Sequence, residues 1–209
     1  MSGLIQPTGA NAVFLKIQGL KKGSEKVYIS KSVKTEKGWT QEGEFKGIEG
    51  EFKSLDFTTN EFEGKTYELA ILTLHNDGVD YKLQLSLSSG LGRGIVNSIV
   101  SNKSIDQVKI EVYISSKSGR PSAMVYVNND KANWALSWDE QTELVEITKN
   151  KKGEVVDSDY SALIAKLKEL ASEVKIGIMD RSVPSYAKVE NTEKASVLED
   201  EDDDDNLPF

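Results

Sequence analysis

Aromatic residues and lysines share the outward faces of several predicted strands, where they could bind a ligand without any catalytic group. In "NAVFLKI" the aliphatic residues form one face, so Phe14 and Lys16 lie on the other. In "EKVYISKSV" the same alternation places Lys26 and Tyr28 outward. Two later strands predict three more outward residues: Lys109, Tyr113 and Tyr126. Exposed rings can stack on nucleobases, each worth about 1–3 kcal/mol, while lysines bind the phosphates.

Two predicted loops carry further basic residues. The turn-like segment "KSVKTEKGW" holds Lys31, Lys34 and Lys37 and ends at Trp39, a combination that favours contact with nucleic acid. The turn of the last predicted hairpin is flanked by Lys117 and Arg120. Two alternatives stay open: the lysines form a solvated loop, and Phe14 and Tyr28 pack a second small core under the extra strands.

Residues for catalysis are scarce in this sequence. There is no Cys, and His75 is the single histidine, at a predicted strand end. The glycines of "GLGRG" fall at positions 90, 92 and 94 and miss the spacing of a dinucleotide-binding loop. The run Asp202–Asp205 does not position carboxylates as a defined metal site requires. We therefore expect no enzyme, no cofactor and no bound metal.

The net charge of -8 is concentrated at one end of the sequence. Seven of the 34 acidic residues lie between Glu199 and Phe209, without a base, so 27 acidic residues face 26 basic ones elsewhere. A nearly neutral body can carry a basic face for a polyanion. The sequence shows neither a membrane-length apolar run nor a signal peptide, so we expect a soluble, cytoplasmic protein without membrane contact.

The order of predicted elements indicates a mainly β fold. A three-stranded meander from Gly47 to Ser88, with a hairpin turn predicted at Asp77-Gly78, is followed by a short helix and then a hairpin. This is the order of the five-stranded Greek-key barrel called the OB-fold. Extra strands precede it, "NWALSW" reads as another strand, and "SDYSALIAKLKELASEV" predicts an amphipathic helix. We expect a binding domain over residues 1–179, a flexible linker over 180–198 and an acidic interaction tail over 199–209.

Tail and body together resemble single-stranded DNA-binding proteins. The ending "DDDDNLPF" is similar to the acidic tip of bacterial members, with Asn206 inserted, and "GIEGEFKSLDF" through "NWALSW" resembles the OB-fold members of phages. The resemblance implies non-specific binding of single-stranded DNA in replication, recombination or repair, in the host cytoplasm if the protein is viral. It also implies recruitment of a polymerase, helicase, primase or nuclease through seven tail residues: Asp202, Asp203, Asp204, Asp205, Leu207, Pro208 and Phe209.

A second class of function competes with this interpretation. An acidic-tailed chaperone or DNA mimic would bind protein on its sheet and use its acids to imitate phosphates. A mimic should be acidic throughout, whereas this body is nearly neutral, so the composition favours DNA binding. The long Gly/Gln/Pro-rich linker of bacterial members is lacking, and the sequence leaves open whether the chain forms a homo-oligomer.

Overall fold

Three strands of the described residues precede the meander. The computed structural model describes residues 12–20, 23–36 and 38–177 of the chain. It confirms the two extra N-terminal strands as β1 (Ala12–Gln18) and β2 (Tyr28–Thr35), which are antiparallel. A third strand, β3 (Gly38–Phe45), forms a hairpin with β2 where the sequence predicted only a turn-like loop. Leu15 and Ile29 are buried, as the predicted inward faces require.

The predicted meander is present as three antiparallel strands. They are β4 (Gly47–Phe62), β5 (Lys65–Asn76) and β6 (Val79–Ser86). The β5–β6 turn has positive φ at both central residues, 49° at Asp77 and 76° at Gly78, which is the backbone that an Asp-Gly hairpin turn favours. The predicted hairpin is therefore confirmed at its turn.

One glycine of "GLGRG", Gly92, is required for close packing. Helix α1 (Gly90–Ile99) begins after Ser89, whose hydroxyl accepts a hydrogen bond from the Gly92 amide at 3.0 Å. A Cβ at Gly92 would stand 2.1 Å from the carbonyl oxygen of Ser86, so only glycine lets the helix approach the end of β6 this closely. The buried apolar face of α1 then joins the core.

Strands after the helix complete a Greek key with the meander. They are β7 (Ser104–Ile105), β8 (Gln107–Ile114), β9 (Pro121–Val127) and β10 (Asp130–Lys131). β8 pairs antiparallel with both β9 and β4, so the fourth long strand returns beside the first and gives the order β8-β4-β5-β6.

The C-terminal part covers one side of the sheet with helices. The predicted amphipathic helix is confirmed, with Leu163 and Leu167 buried. The elements here are α2 (Trp138–Glu143), β11 (Glu146–Lys149), β12 (Val155–Asp159), α3 (Ser161–Ser172) and β13 (Lys175–Ile176).

The strand predicted for "NWALSW" is wrong. Ser137 caps α2, and the Glu140 carboxylate accepts a hydrogen bond from the Ser137 amide at 2.7 Å, so a capping box starts a helix there. The buried side chain of Asn97 exchanges two 2.9 Å hydrogen bonds with the backbone of Leu136. The backbone at Leu136 is therefore hydrogen-bonded to α1 instead of a neighbouring strand.

The main sheet is open. Its nine strands run in the order β10-β9-β8-β4-β5-β6-β1-β2-β3, so the fold is mainly β, but no ladder closes the sheet within the described residues. A closed five-stranded barrel was expected; instead β1 pairs in parallel with β6 and extends the sheet. One face carries the continuous apolar core, which the helices cover, and we call the opposite face the outer face. The expected boundaries at 179/180 and 198/199 lie outside the described residues.

Candidate functional site

Two large aromatic rings are exposed on the outer face, near the β3 edge of the sheet. Phe14 on β1 is 45% exposed and Trp39 on β3 is 62% exposed. Their ring centroids are 6.4 Å apart and the planes meet at 73°, an edge-to-face contact. The second core that the sequence allowed for Phe14 does not form, because the ring packs against another exposed ring.

Lysines surround these rings because of the strand register. Lys34 lies opposite Trp39 across the β2–β3 hairpin. Lys82 lies opposite Phe14 across the parallel β1–β6 pair, with its Nζ 5.8 Å from the Phe14 ring centroid. Lys16 follows two residues after Phe14 and shares its face. We define the Phe14 surface as Phe14, Lys16, Lys34, Trp39 and Lys82.

The lysines of the Phe14 surface carry charge that no carboxylate neutralises. Among the described residues, no Asp or Glu oxygen lies within 4 Å of the Nζ atoms of Lys16, Lys34 or Lys82. An unpaired ammonium group remains free to bind an anion without first breaking an ion pair. This surface therefore combines exposed π-faces with available positive charge.

The Phe14 surface extends across the strands. The register forms one continuous row from Ser54 on β4 through Thr73, Lys82 and Phe14 to Ser32 on β2. Adjacent strands are about 4.8 Å apart, so the four strands from β6 to β3 span about 14 Å. Thr73 is buried, so a ligand on this row would cross β6, β1 and β2, at a right angle to the strands.

Tyr28 and Lys26 lie at the other end of β2. Tyr28 is opposite Gln18 and so shares the face of Phe14 and Lys16. Lys26 has its Nζ 5.3 Å from the Tyr28 ring centroid, but that Nζ also donates to both Glu44 carboxylate oxygens at 2.5 and 2.6 Å. The hydrogen bond to Glu44 raises the pKa of Lys26, and its charge is neutralised locally.

Lys31 and Lys37 are not part of this surface. Lys31 lies opposite Leu15 in the ladder, which places it on the face that bears the core. Alternation along β2 therefore separates Lys31 from Lys34, although the sequence grouped them in one loop. Lys37 lies outside the described residues.

A second group of predicted residues lies on β8 and β9. Lys109 is opposite Tyr126, with its Nζ 5.5 Å from that ring centroid, and Tyr113 lies on the same face of β8. Glu49 on β4 is opposite Lys109, and Glu111 binds its Nζ at 2.7 Å. We define the Tyr126 surface by these five residues.

Carboxylates dominate the electrostatics of the Tyr126 surface. The hydrogen bond that Lys109 donates to Glu111 raises the pKa of Lys109, and the nearby charge of Glu49 acts in the same direction. Two carboxylates around one ammonium leave this surface without the free positive charge of the Phe14 surface.

Acidic residues also separate the two surfaces along the outer face. The row Glu51, His75 and Asp80 crosses β4, β5 and β6 beside the row that contains Lys82. Nδ1 of His75 is 2.6 Å from Oδ1 of Asp80, so the only histidine is engaged in a pair within the sheet. The structure thus confirms that both groups face outward, and it does not bring them together.

Lys117 and Arg120 occupy the β8–β9 loop. This loop is closed by hydrogen bonds from the Ser115 amide to the Arg120 carbonyl at 2.9 Å and from the Gly119 amide to the Ser115 carbonyl at 2.8 Å. Lys117 is exposed and Arg120 is half-buried. Both lie at the turn where the sequence predicted them.

Lys82 is the site residue that sequence reasoning missed. Alternation in "VDYKLQLSLS" placed it on a polar face, but its position beside Phe14 arises from a parallel pairing of strands far apart in sequence. The tail residues Asp202, Asp203, Asp204 and Asp205 lie outside the described residues, as do Leu207, Pro208 and Phe209.

Other kinds of site find no support in the described part of the chain. No group of three or more His, Asp or Glu side chains there could hold a metal ion. No helix there has the length and apolar character needed to span a membrane.

No protein-family model, curated protein or solved structure matches this chain. The resemblance to single-stranded DNA-binding proteins therefore stays a prediction, and function must be inferred from the side chains themselves.

Proposed function

We propose that this protein binds single-stranded DNA without sequence preference, through the Phe14 surface. The observation that carries the proposal is the exposed pair Phe14 and Trp39 surrounded by lysines that no described carboxylate neutralises. Each base offers a π-face to an aromatic ring whatever its identity, so stacking binds strands of any sequence. The lysines then bind the phosphates, which makes the affinity depend on salt.

The position of this surface in the sheet supports the proposal. We propose that β4, β5, β6, β8 and β9 form an OB-type unit, because a meander, a helix and a returning hairpin follow one another as in that fold. The second and third strands of an OB-fold provide its oligonucleotide-binding face. Here those strands are β5 and β6, and the outer face of β6 presents Lys82 to Phe14.

We also propose that the acidic segment 199–209 recruits a replication or recombination protein. Its acids would steer it toward a basic partner, and Leu207, Pro208 and Phe209 would fill an apolar pocket there. On this proposal Phe209→Ala leaves DNA affinity unchanged. A loss of DNA affinity in that variant would contradict the division between a body that binds DNA and a segment that binds protein.

A salt titration tests DNA binding. The anisotropy of fluorescein-labelled oligo-dT is measured as the full chain is added, at several salt concentrations. Each phosphate contact with single-stranded DNA contributes about -0.7 to the slope of log K against log salt. The three unpaired lysines should therefore give a slope of about -2.

The same titration separates the rival function. A chaperone or DNA mimic would not bind oligo-dT even at low salt, and that result would end the DNA proposal. Equal binding of oligo-dT and oligo-rU would widen the ligand to single-stranded nucleic acid in general.

A further inference from the structure

A cavity of about 250 Å³ opens on the helix-bearing side of the molecule. Its walls come from α1, the β8–β9 hairpin, the segment around α2, and α3. Trp134, Trp138 and Tyr160 are half-buried and line it. Tyr113 also lines it, where β8 ends, although strand alternation assigns that residue to the outer face. Both tryptophans therefore contribute to the wall of an open cavity. A cavity of about 150 Å³ already admits benzene, so an aromatic side chain fits here.

Among the described residues that line the cavity, Arg93 is the one cation and no side chain is an anion. Arg93 is only 7% exposed. The Arg93 Nη1 donates to the Leu87 carbonyl oxygen at 2.8 Å, and its guanidinium carbon lies 3.5 Å from the Tyr160 ring centroid. Burial lowers the pKa of Arg93, and no carboxylate in the described part of the chain pairs with it. A buried cation without a counter-ion favours an incoming carboxylate.

The fitting ligand is thus an acidic peptide that carries a large apolar or aromatic side chain. We propose that the occupant is this chain's own segment 201–209. Its run Asp202–Asp205 complements the charge of Arg93, and Leu207 and Phe209 fit the aromatic walls. At the cavity mouth, Ile147 of β11 is an exposed apolar residue that extends the contact surface.

The length of chain after the last described residue permits this contact. From Gly177 to Asp205 the sequence provides enough residues to extend about 90 Å, at about 3.3 Å per residue. A folded chain of this size has a radius of gyration of only about 17 Å. The segment can therefore reach the cavity of its own molecule.

Occupation of the cavity would regulate the recruiting segment. While Phe209 lies in the cavity, it is withheld from a partner protein, so a partner must compete with the body for the same side chains. No residue of the Phe14 surface lines the cavity. Its occupation therefore leaves the proposed DNA surface free, and the inference does not rest on DNA binding.

The test uses the indole N–H signals of the full chain in ¹⁵N-edited NMR, without DNA. Against the unsubstituted chain, the double variant Leu207→Ala, Phe209→Ala should shift the signals of Trp134 and Trp138 and leave Trp39 unchanged. Adding the free peptide EDDDDNLPF to the variant should restore both signals, whereas a peptide with serine for Leu and Phe should not. Asn206→Ala is the control within the same segment and should leave the signals of Trp134 and Trp138 unchanged.

A charge at the cavity mouth provides a second test that leaves the buried wall intact. Thr142→Glu should repel the acids and move the Trp134 and Trp138 signals toward those of the double variant. Thr148→Glu, on exposed β11 but outside the lining, is the matched control and should leave them in place. Identical signals in the unsubstituted chain and the double variant would overturn the proposal. A shift confined to Trp39 would overturn it as well and place the segment on the Phe14 surface.

Discussion

The Phe14 surface and the Tyr126 surface look alike in sequence but differ in charge. Each combines aromatic rings with lysine on the outer face of one sheet, and in each a lysine Nζ lies within 6 Å of a ring centroid. Glu49 and Glu111 neutralise Lys109, whereas the lysines around Phe14 have no carboxylate within 4 Å in the part that the structure describes. Residues on neighbouring strands thus decide whether an aromatic–lysine pair can bind a polyanion.

Removing the two exposed rings should have the largest effect. The variant Phe14→Ala, Trp39→Ala is expected to lose about 1–3 kcal/mol of binding free energy for each ring, roughly a 5- to 150-fold weaker affinity per ring. The anisotropy of labelled oligo-dT measures the change in affinity. Both rings are exposed, so the fold should stay intact, and circular dichroism checks this. Tyr126→Ala is the control, with less than a twofold effect. An equal loss in both variants would erase the distinction between the surfaces.

The second-largest effect is expected from removing lysine charge, which should weaken the salt dependence of DNA binding. Lys34→Gln with Lys82→Gln is expected to reduce the magnitude of the slope of log K against log salt by about 1.4, from about 0.7 for each lost phosphate contact. Lys109→Gln should leave the slope unchanged because its charge is already paired with Glu111. If the slope falls equally in both variants, Lys109 binds phosphate despite that pairing.

Removing the carboxylates around Lys109 should give the Tyr126 surface an unpaired positive charge, as on the Phe14 surface. Glu49→Gln with Glu111→Gln removes the carboxylates around Lys109 and is expected to raise the magnitude of the salt slope by about 0.7. The matched control is Glu42→Gln with Glu146→Gln, two exposed glutamates that belong to neither surface. An unchanged slope would mean that the carboxylates do not cause the difference.

The smallest effect is expected at Lys31. It lies on the core-bearing face, three residues before Lys34, so Lys31→Gln should leave both the affinity and the salt slope for oligo-dT unchanged. The paired measurement on Lys34→Gln should show a slope reduced by about 0.7. If Lys31→Gln matches Lys34→Gln, the strand register does not select the binding lysines.

Local sequence patterns predicted those structural features that depend on a single strand or a single turn. Alternation placed Phe14 and Tyr126 outward, and Asp77-Gly78 identified its hairpin turn. These predictions depend only on the period of a strand and the φ angles of a turn, both properties of a few neighbouring residues.

Features that depend on distant residues were not predictable in this way. Lys82 meets Phe14 only through the parallel β1–β6 pair, and that pair also leaves the sheet open where a closed barrel was expected. The strand expected around Trp134 gave way to a capped helix, for which Ser137 and Glu140 were an overlooked local signal. The neutralisation of Lys109 by Glu49 likewise required knowledge of the β4–β8 register.

Photochemical cross-linking tests the central claim most directly. Oligo-dT containing 5-bromodeoxyuridine is irradiated with the full chain at low salt, and the cross-linked residues are identified by mass spectrometry. We predict cross-links at Trp39 and Phe14, where bases stack on exposed rings. Cross-links confined to Tyr113 and Tyr126 would contradict the account and assign DNA binding to the Tyr126 surface.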